Sequence, residues 1–278
     1  MRRLLTIPIS HFCEKARWAL ERAGLDYVEE RHVQGVHQVV ARRAGGGTTV
    51  PVLVTDEGVF AESEDILRYA DERTDAALRL FPPDPRQREE VVALCRWLDA
   101  GLGPDGRRLM YAHMLGLRRP MLRVNNQGVP GWEAWAMTAL WPVMTRWGRR
   151  ELGIGPDTIR DDTRRVRDAF DAVAERLADG RPHLCGERFG AADLTFACLA
   201  AAVLVPPEYG VTLPQPDELP DHIARDVRDL REHPAGRYAL ELFRRERRSP
   251  AGHESLAPES TRRTPTSSRW ASRSPGSS

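Results

Sequence analysis

The sequence predicts a two-domain protein, an α/β domain at the N-terminus and an all-α domain after it. Up to about residue 73 the chain alternates short β-branched runs with stretches of helical periodicity. At Pro82-Pro83-Asp84-Pro85 a proline cluster stops any helix, and beyond it apolar residues recur at helical spacing with no further strand pattern. These changes set the boundaries at 1–75, a linker at 76–84 and a helical domain at 85–248. The remaining 249–278 are rich in Ser, Arg, Pro and Thr, lack the apolar residues to pack, and are expected to be disordered.

Residues 3–8 read as a short buried strand. Ser10 then opens a helix running to Gly24, with Phe12, Ala16, Ala19, Leu20 and Ala23 on one face. Residues 26–33 read as a second strand, followed by a second helical region that contains His37 and Gln38. Pro51 cannot donate to a central ladder, so it should head a strand, and an X-Pro bond there can be cis. That leaves the backbone of Val50 free to pair with an extended peptide. After a turn at Asp56-Glu57-Gly58, Ser63 sits where a helix should begin; its hydroxyl, Glu62 and the exposed N–H groups of that turn can hold a ligand's carboxylate and ammonium. The other reading of these residues is a strand, a hairpin and a plain N-cap. The order of elements is that of a thioredoxin-like domain.

In the second domain a long helix starts near Arg86 with Val91, Leu94, Cys95, Leu98 and Leu102 on its core face, and Tyr111 and His113 near its end. Tyr111 and His113 either point into the cleft between the domains or lie on the surface. A strong helix is expected over 157–178, a central buried helix over 190–205, and a last helix over 225–248 interrupted at Pro234. Between the first and second of these lies an extra segment, 115–155, longer than bundle connections usually are. It carries Trp132, Trp135, Met137, Leu140, Trp141, Met144 and Trp147, with Pro142 placed to kink or divide it. Either these residues extend the core, or they cap an apolar pocket in which Trp132 or Trp135 meets the ligand, or they face another subunit.

The 41 basic and 40 acidic residues leave a net charge of +1, which gives no reason to expect a nucleic-acid partner. Lys15 is the only lysine, a bias of the coding sequence rather than of chemistry. No apolar run is long enough for a signal peptide or a membrane span, so a cytoplasmic protein without a membrane partner is expected. The four cysteines, Cys13, Cys95, Cys185 and Cys198, show no paired spacing, so neither a metal site nor a disulfide framework is expected.

Several segments together resemble the glutathione S-transferase superfamily, in particular its cytosolic members with a serine-, omega- or tau-like N-terminal motif. They are Ser10-x-x-Cys13 with Lys15 and Arg17 after it, Val50-Pro51-Val52-Leu53, Glu62-Ser63 with Ile66-Leu67-Arg68-Tyr69, and Gly186-Glu187-Arg188-Phe189-Gly190-Ala191-Ala192-Asp193-Leu194. The last is similar to a buried capping motif in which a small residue at a helix start is followed three positions later by aspartate.

The resemblance implies a thioredoxin-like domain that binds glutathione, or another low-molecular-weight thiol, as co-substrate. It also implies a helical domain that holds a small electrophile, an alkyl- or aryl-transferring activity and a homodimer. It implies thiol contacts from Val50, Pro51, Glu62 and Ser63 and carboxylate contacts from His37 and Gln38; the acceptor pocket near Tyr111, His113, Trp132 and Trp135 is expected from their place beside the cleft and from the extra segment, which departs from the family's pattern.

Ser10 would donate a hydrogen bond that, with the helix N-terminus, stabilises a thiolate. Alternatively Cys13 is the reactive sulfur of a thiol reductase, or else a small buried residue. His11 beside Ser10 either modulates the sulfur or, as the absence of a paired acid favours, is a solvated turn residue. An isomerase or biosynthetic enzyme of the same fold, or a non-catalytic binding protein, remains the further alternative.

Overall fold

The computed structural model describes residues 1–247, so the expectation for the tail at 249–278 falls outside the described residues. β1 (Arg3–Thr6) buries Leu4, Leu5 and Thr6 and leads through Pro8 into α1 (His11–Arg22). β2 (Val28–Arg31) pairs parallel to β1 and is followed by α2 (Val36–Arg43). β3 (Val52–Val54) runs antiparallel to β1, and β4 (Val59–Phe60) returns from it by a tight hairpin in which Thr55 N–H donates to Gly58 O at 2.9 Å. α3 (Ser63–Glu72) closes the unit. The sheet order is β2-β1-β3-β4, a mixed four-stranded sheet of thioredoxin-like type as predicted.

The helical part starts at α4 (Pro85–Ala100), where Asp84 accepts the Gln87 N–H at 2.9 Å and Pro85 fills a first-turn position that needs no donor. α5 (Leu102–Met114) follows directly. The expectation of a single long helix here is corrected: Gly101 leaves helical geometry at φ −102°, ψ −81°, and Pro104 belongs to the first turn of a new helix.

The extra segment holds α6 (Arg118–Asn125), α7 (Gly131–Ala139) and α8 (Trp141–Glu151), with Pro142 in the first turn of α8 dividing the last two. Then come α9 (Pro156–Leu177), α10 (Ala191–Leu204), α11 (Asp221–Glu232) and α12 (Pro234–Glu246), the last two separated at Pro234.

α10 is buried on nearly every side, as its unbroken apolar sequence requires. Its start is pinned by Asp193, whose carboxylate accepts from Gly190 N at 2.7 Å, from Leu184 N at 2.8 Å and from the Tyr238 hydroxyl. Burial pushes this carboxyl up, and those three donors oppose the shift.

α1 is held from both domains. Lys15 reaches Asp99 of α4 at 2.8 Å. Glu14, fully buried, meets Arg17 at 3.2 Å, Arg247 at 2.8 Å and the Gly210 N–H at 3.1 Å. The residue that caps α1 is therefore carried on a helix fixed by buried charge pairs in its first two turns.

Candidate functional site

In the β1–β3 register Leu5 lies opposite Val52, and two further residues along each strand bring Ile7 beside Val50. Both line a cavity of ≈ 90 Å³ together with Ser10, His11, His37, Arg107 and Tyr111. The Val50-Pro51 bond is cis, and neither the N–H nor the C=O of Val50 makes a hydrogen bond among the described residues. An unsatisfied backbone pair at a cavity wall is an edge to which an extended ligand can bond. Pro51 itself is buried behind it.

Ser10 is the N-cap of α1, and its Oγ accepts the Cys13 N–H at 3.3 Å. That bond uses an oxygen lone pair and leaves the hydroxyl proton for donation. Cys13 is completely buried, and burial pushes its thiol up against the lowering influence of Arg17 and Ser10. A thiol held protonated and out of contact with solvent is poorly placed to attack a disulfide.

His11 corrects the sequence reading. It is only 2% exposed, its Nε2 has no partner, and burial together with Arg107 lowers its pKa to about 3, so it is neutral near pH 7. Gly103 makes room beside it: a Cβ there would come within 2.6 Å of the Phe12 ring, which packs on the His11 ring.

α3 starts where the sequence placed it, with Ser63 buried and Glu62 exposed. Ser63 is the first helical residue, and neither its hydroxyl nor the exposed Glu62 carboxylate has a partner among the described residues. The two residues are not among those lining the small cavity.

A larger cavity of ≈ 380 Å³ adjoins the small one and shares Ile7, His37, Thr49, Arg107 and Tyr111 with it. Gln38 lines it from α2, while Met121, Met137, Trp141, Met144 and Trp147 give it an apolar wall from the extra segment. Its size is in the range that takes a small organic ligand.

Gln34 closes one side, its Nε2 donating to the Tyr111 hydroxyl at 3.2 Å and to Asn125 Oδ1 at 2.9 Å. Burial pushes the Tyr111 hydroxyl up in pKa, so it stays a neutral donor. The extra segment is clasped onto the first domain by Glu133, buried, which meets His32 Nδ1 at 2.8 Å and accepts the Val33 N–H at 2.9 Å.

Three predicted residues fall elsewhere. Trp132 and Trp135 do not line this cavity; they are 62% and 74% exposed, because the buried face of α7 is the one carrying Glu133 and Met137. The tryptophans that reach the cavity are Trp141 and Trp147. His113 follows Tyr111 by two residues, about 200° round the helix, and lines a separate ≈ 60 Å³ apolar cavity among α5, α10 and α11. Burial lowers its pKa.

Arg107 was missed by the sequence reading. It precedes Tyr111 by one helical turn, faces both cavities, and has no hydrogen bond or ion pair among the described residues. The i, i+4 spacing to Tyr111 was the available signal.

A thioredoxin-like domain with an unpaired backbone edge beside a serine-capped helix, closed by a helical domain that walls an apolar cavity, defines a class of two-domain proteins. The chain belongs to the glutathione S-transferase superfamily: residues 4–77 match the family described as glutathione S-transferase, N-terminal domain, and residues 156–234 match glutathione S-transferase, C-terminal domain. Together the two matches span more than half of the chain.

Among solved structures, a glutathione S-transferase from Xanthobacter autotrophicus Py2 is similar at 20% identity over 87% of this chain and 91% of that one, with a TM-score of 0.55. The beta-etherase LigF from Sphingobium sp. strain SYK-6 is similar at 18% identity over 86% and 98%, with a TM-score of 0.54. A theta class glutathione S-transferase from Xanthomonas axonopodis pv. citri, solved with glutathione bound, is similar at 20% identity over 86% and 96%, with a TM-score of 0.53. No curated protein matches the chain.

Proposed function

We propose that the protein joins glutathione to a small apolar electrophile, with residues 1–75 as the thiol-binding unit and the helical unit 85–248, a linker at 76–84 between them, holding the acceptor. The observation that carries this reading is the continuity of the two cavities. Ser10 and the free Val50 edge line one of them, the apolar wall of Trp141, Met144 and Met137 lines the other, and five residues are common to both. A thiol at Ser10 would face an electrophile in the larger chamber, so much of the acceleration would come from proximity.

Glutathione fits the residues present, since it offers a peptide backbone, a thiol and two carboxylates. Val50 supplies the backbone edge, and Glu62 with Ser63 at the start of α3 supplies partners for the γ-glutamyl ammonium and carboxylate. Gln38 and His37 line the cleft on the side where a second carboxylate would lie. When bound, glutathione supplies the sulfur nucleophile.

The protein's part is to hold that sulfur ionised. Ser10 donates its hydroxyl proton, the N-terminus of α1 contributes its dipole, and Arg107 adds an unpaired positive charge on the opposite wall. His11, neutral and unprotonated, takes no proton near pH 7. The reductase alternative is disfavoured by the burial of Cys13.

Titration calorimetry tests the assignment. Glutathione should bind the wild type, and Ser63→Ala should weaken binding by about 1–3 kcal/mol, the cost of leaving a charged group without its partner. Absence of glutathione binding, with another low-molecular-weight thiol bound instead, would move the co-substrate but keep the site. No binding of any thiol would remove the reading.

A further inference from the structure

The extra segment presents a surface that the thiol chemistry does not use. Of the ten large apolar residues exposed among the described residues, five fall between positions 132 and 147: Trp132 at 62%, Trp135 at 74%, Leu140, Val143 and Trp147. Scattered single residues of this kind are ordinary, but four from two consecutive helices, with Leu140 at the junction between them, are a patch. Trp132 and Trp135 share one face of α7 at i, i+3 spacing, and Val143 and Trp147 share one face of α8 at i, i+4.

The charge around the patch is one-sided. Residues 115–155 hold six arginines against two glutamates, a net +4 in a chain whose total is +1. Glu133 is buried in its clasp with His32, and Arg123 is paired with Glu218. Arg119, Arg146, Arg149 and Arg150 are exposed and have no acidic partner among the described residues. Arg146 and Arg150 lie on the α8 face of Val143 and Trp147 by the same spacing.

We propose that this face of α7 and α8 docks on an anionic lipid surface, with Trp132, Trp135, Leu140 and Val143 entering the headgroup boundary and the unpaired arginines meeting lipid phosphates. Tryptophan is suited to that boundary, having an apolar ring and a polar N–H, and each arginine near an anionic leaflet adds attraction. The proposal departs from the expectation of no membrane partner, which rested on the lack of a run long enough to span a bilayer; a docked face needs no such run.

A second copy is the poorer occupant, because a two-fold contact through this face would bring two net-positive surfaces together. Single-stranded nucleic acid would also meet arginine and tryptophan, but Leu140 and Val143 offer a base nothing to stack on. Trp147 belongs both to the patch and to the cavity wall, so docking would bring the chamber's mouth to the lipid, where apolar electrophiles collect.

Vesicle flotation of the full chain tests this without any thiol, so it fails independently of the glutathione assignment. The protein should float with vesicles in which about a third of the phosphatidylcholine is replaced by phosphatidylglycerol, and not with pure phosphatidylcholine. High salt should release it. A Trp132→Ala/Trp135→Ala variant and an Arg146→Glu/Arg150→Glu variant should each bind about tenfold more weakly or worse, with the far-ultraviolet spectrum and unfolding midpoint kept.

Absence of flotation with anionic vesicles would overturn the proposal. So would flotation of either variant to the same extent as the wild type, a sedimentation mass that halves in the tryptophan variant, or binding of a labelled single-stranded oligonucleotide in place of vesicles.

Discussion

The Ser10 hydroxyl oxygen lies 3.3 Å from the Cys13 amide nitrogen and accepts its hydrogen bond, so the two residues that compete for the role of reactive group sit in one turn with opposite environments. Ser10 lines the cavity, and Cys13 is sealed behind it. With an electrophilic chloroarene and glutathione, Ser10→Ala should lower turnover about ten- to a hundredfold, the worth of a hydrogen bond to a charged group, while Cys13→Ala stays within about twofold. Because burial keeps its thiol protonated, Cys13 should also resist iodoacetamide in the native protein at neutral pH. Rapid labelling of Cys13 with loss of turnover would reverse the assignment.

The apolar chamber should report ligands through Trp141 and Trp147. An apolar aromatic ligand should quench tryptophan emission in the wild type and equally in Trp132→Ala/Trp135→Ala, whereas Trp141→Phe should lose much of the response and bind more weakly. The opposite pattern in steady-state titrations would place the ligand on the outer face of α7.

Glu14 should be among the costliest residues to replace. It is fully buried between Arg17, Arg247 and the Gly210 N–H, and a Cβ on Gly210 would lie 2.5 Å from its carboxylate oxygen. Removing it takes one of the carboxylate partners from each of two buried guanidinium groups, Arg17 keeping Glu29 at 2.7 Å and Arg247 keeping Glu21, so Glu14→Ala should lose about 1–3 kcal/mol in urea unfolding. A loss below about 1 kcal/mol would mean the cluster is open to water.

His11 makes a signed prediction about acid stability. Its pKa falls from 6.5 to about 3 on folding, so below pH 6.5 the unfolded chain binds a proton that the folded chain does not. Stability therefore falls as the pH drops from 6.5 toward 3. Glu29, held at about 2 against an ordinary 4.5, adds a second loss only below pH 4.5. Between pH 6.5 and 4.5 the decline in unfolding free energy should thus be shallower in His11→Asn than in the wild type. Parallel slopes would mean that His11 is protonated in the fold.

The features legible in the sequence were those set by local geometry. Ser10 as a cap, Pro51 at the head of a strand, Pro142 and Pro234 as breaks between helices, and Asp193 three residues into α10 each follow from a requirement of the backbone at that position. What the sequence did not show was which side of a helix its neighbours would cover. α7 is apolar on nearly every side, and only the pairing of Glu133 with His32 and Val33 N settles that Trp132 and Trp135 face out. His11 looked solvated because the residues that bury it come from α5, some ninety positions on, and are invisible to local pattern. Arg107 was passed over for the same reason, since an exposed arginine that borders a cleft looks like any other until the cleft exists.

The central claim is that Ser10 and the start of α1 hold a bound thiol as thiolate, and the ultraviolet absorbance of the glutathione thiolate, titrated against pH with the protein in excess, measures it directly. The bound thiol should ionise well below the value of about 8.5 typical of a free cysteine thiol, and the midpoint should move back up in Ser10→Ala while glutathione still binds. Identical titrations of bound and free glutathione, or a depressed midpoint that survives in Ser10→Ala, would contradict it.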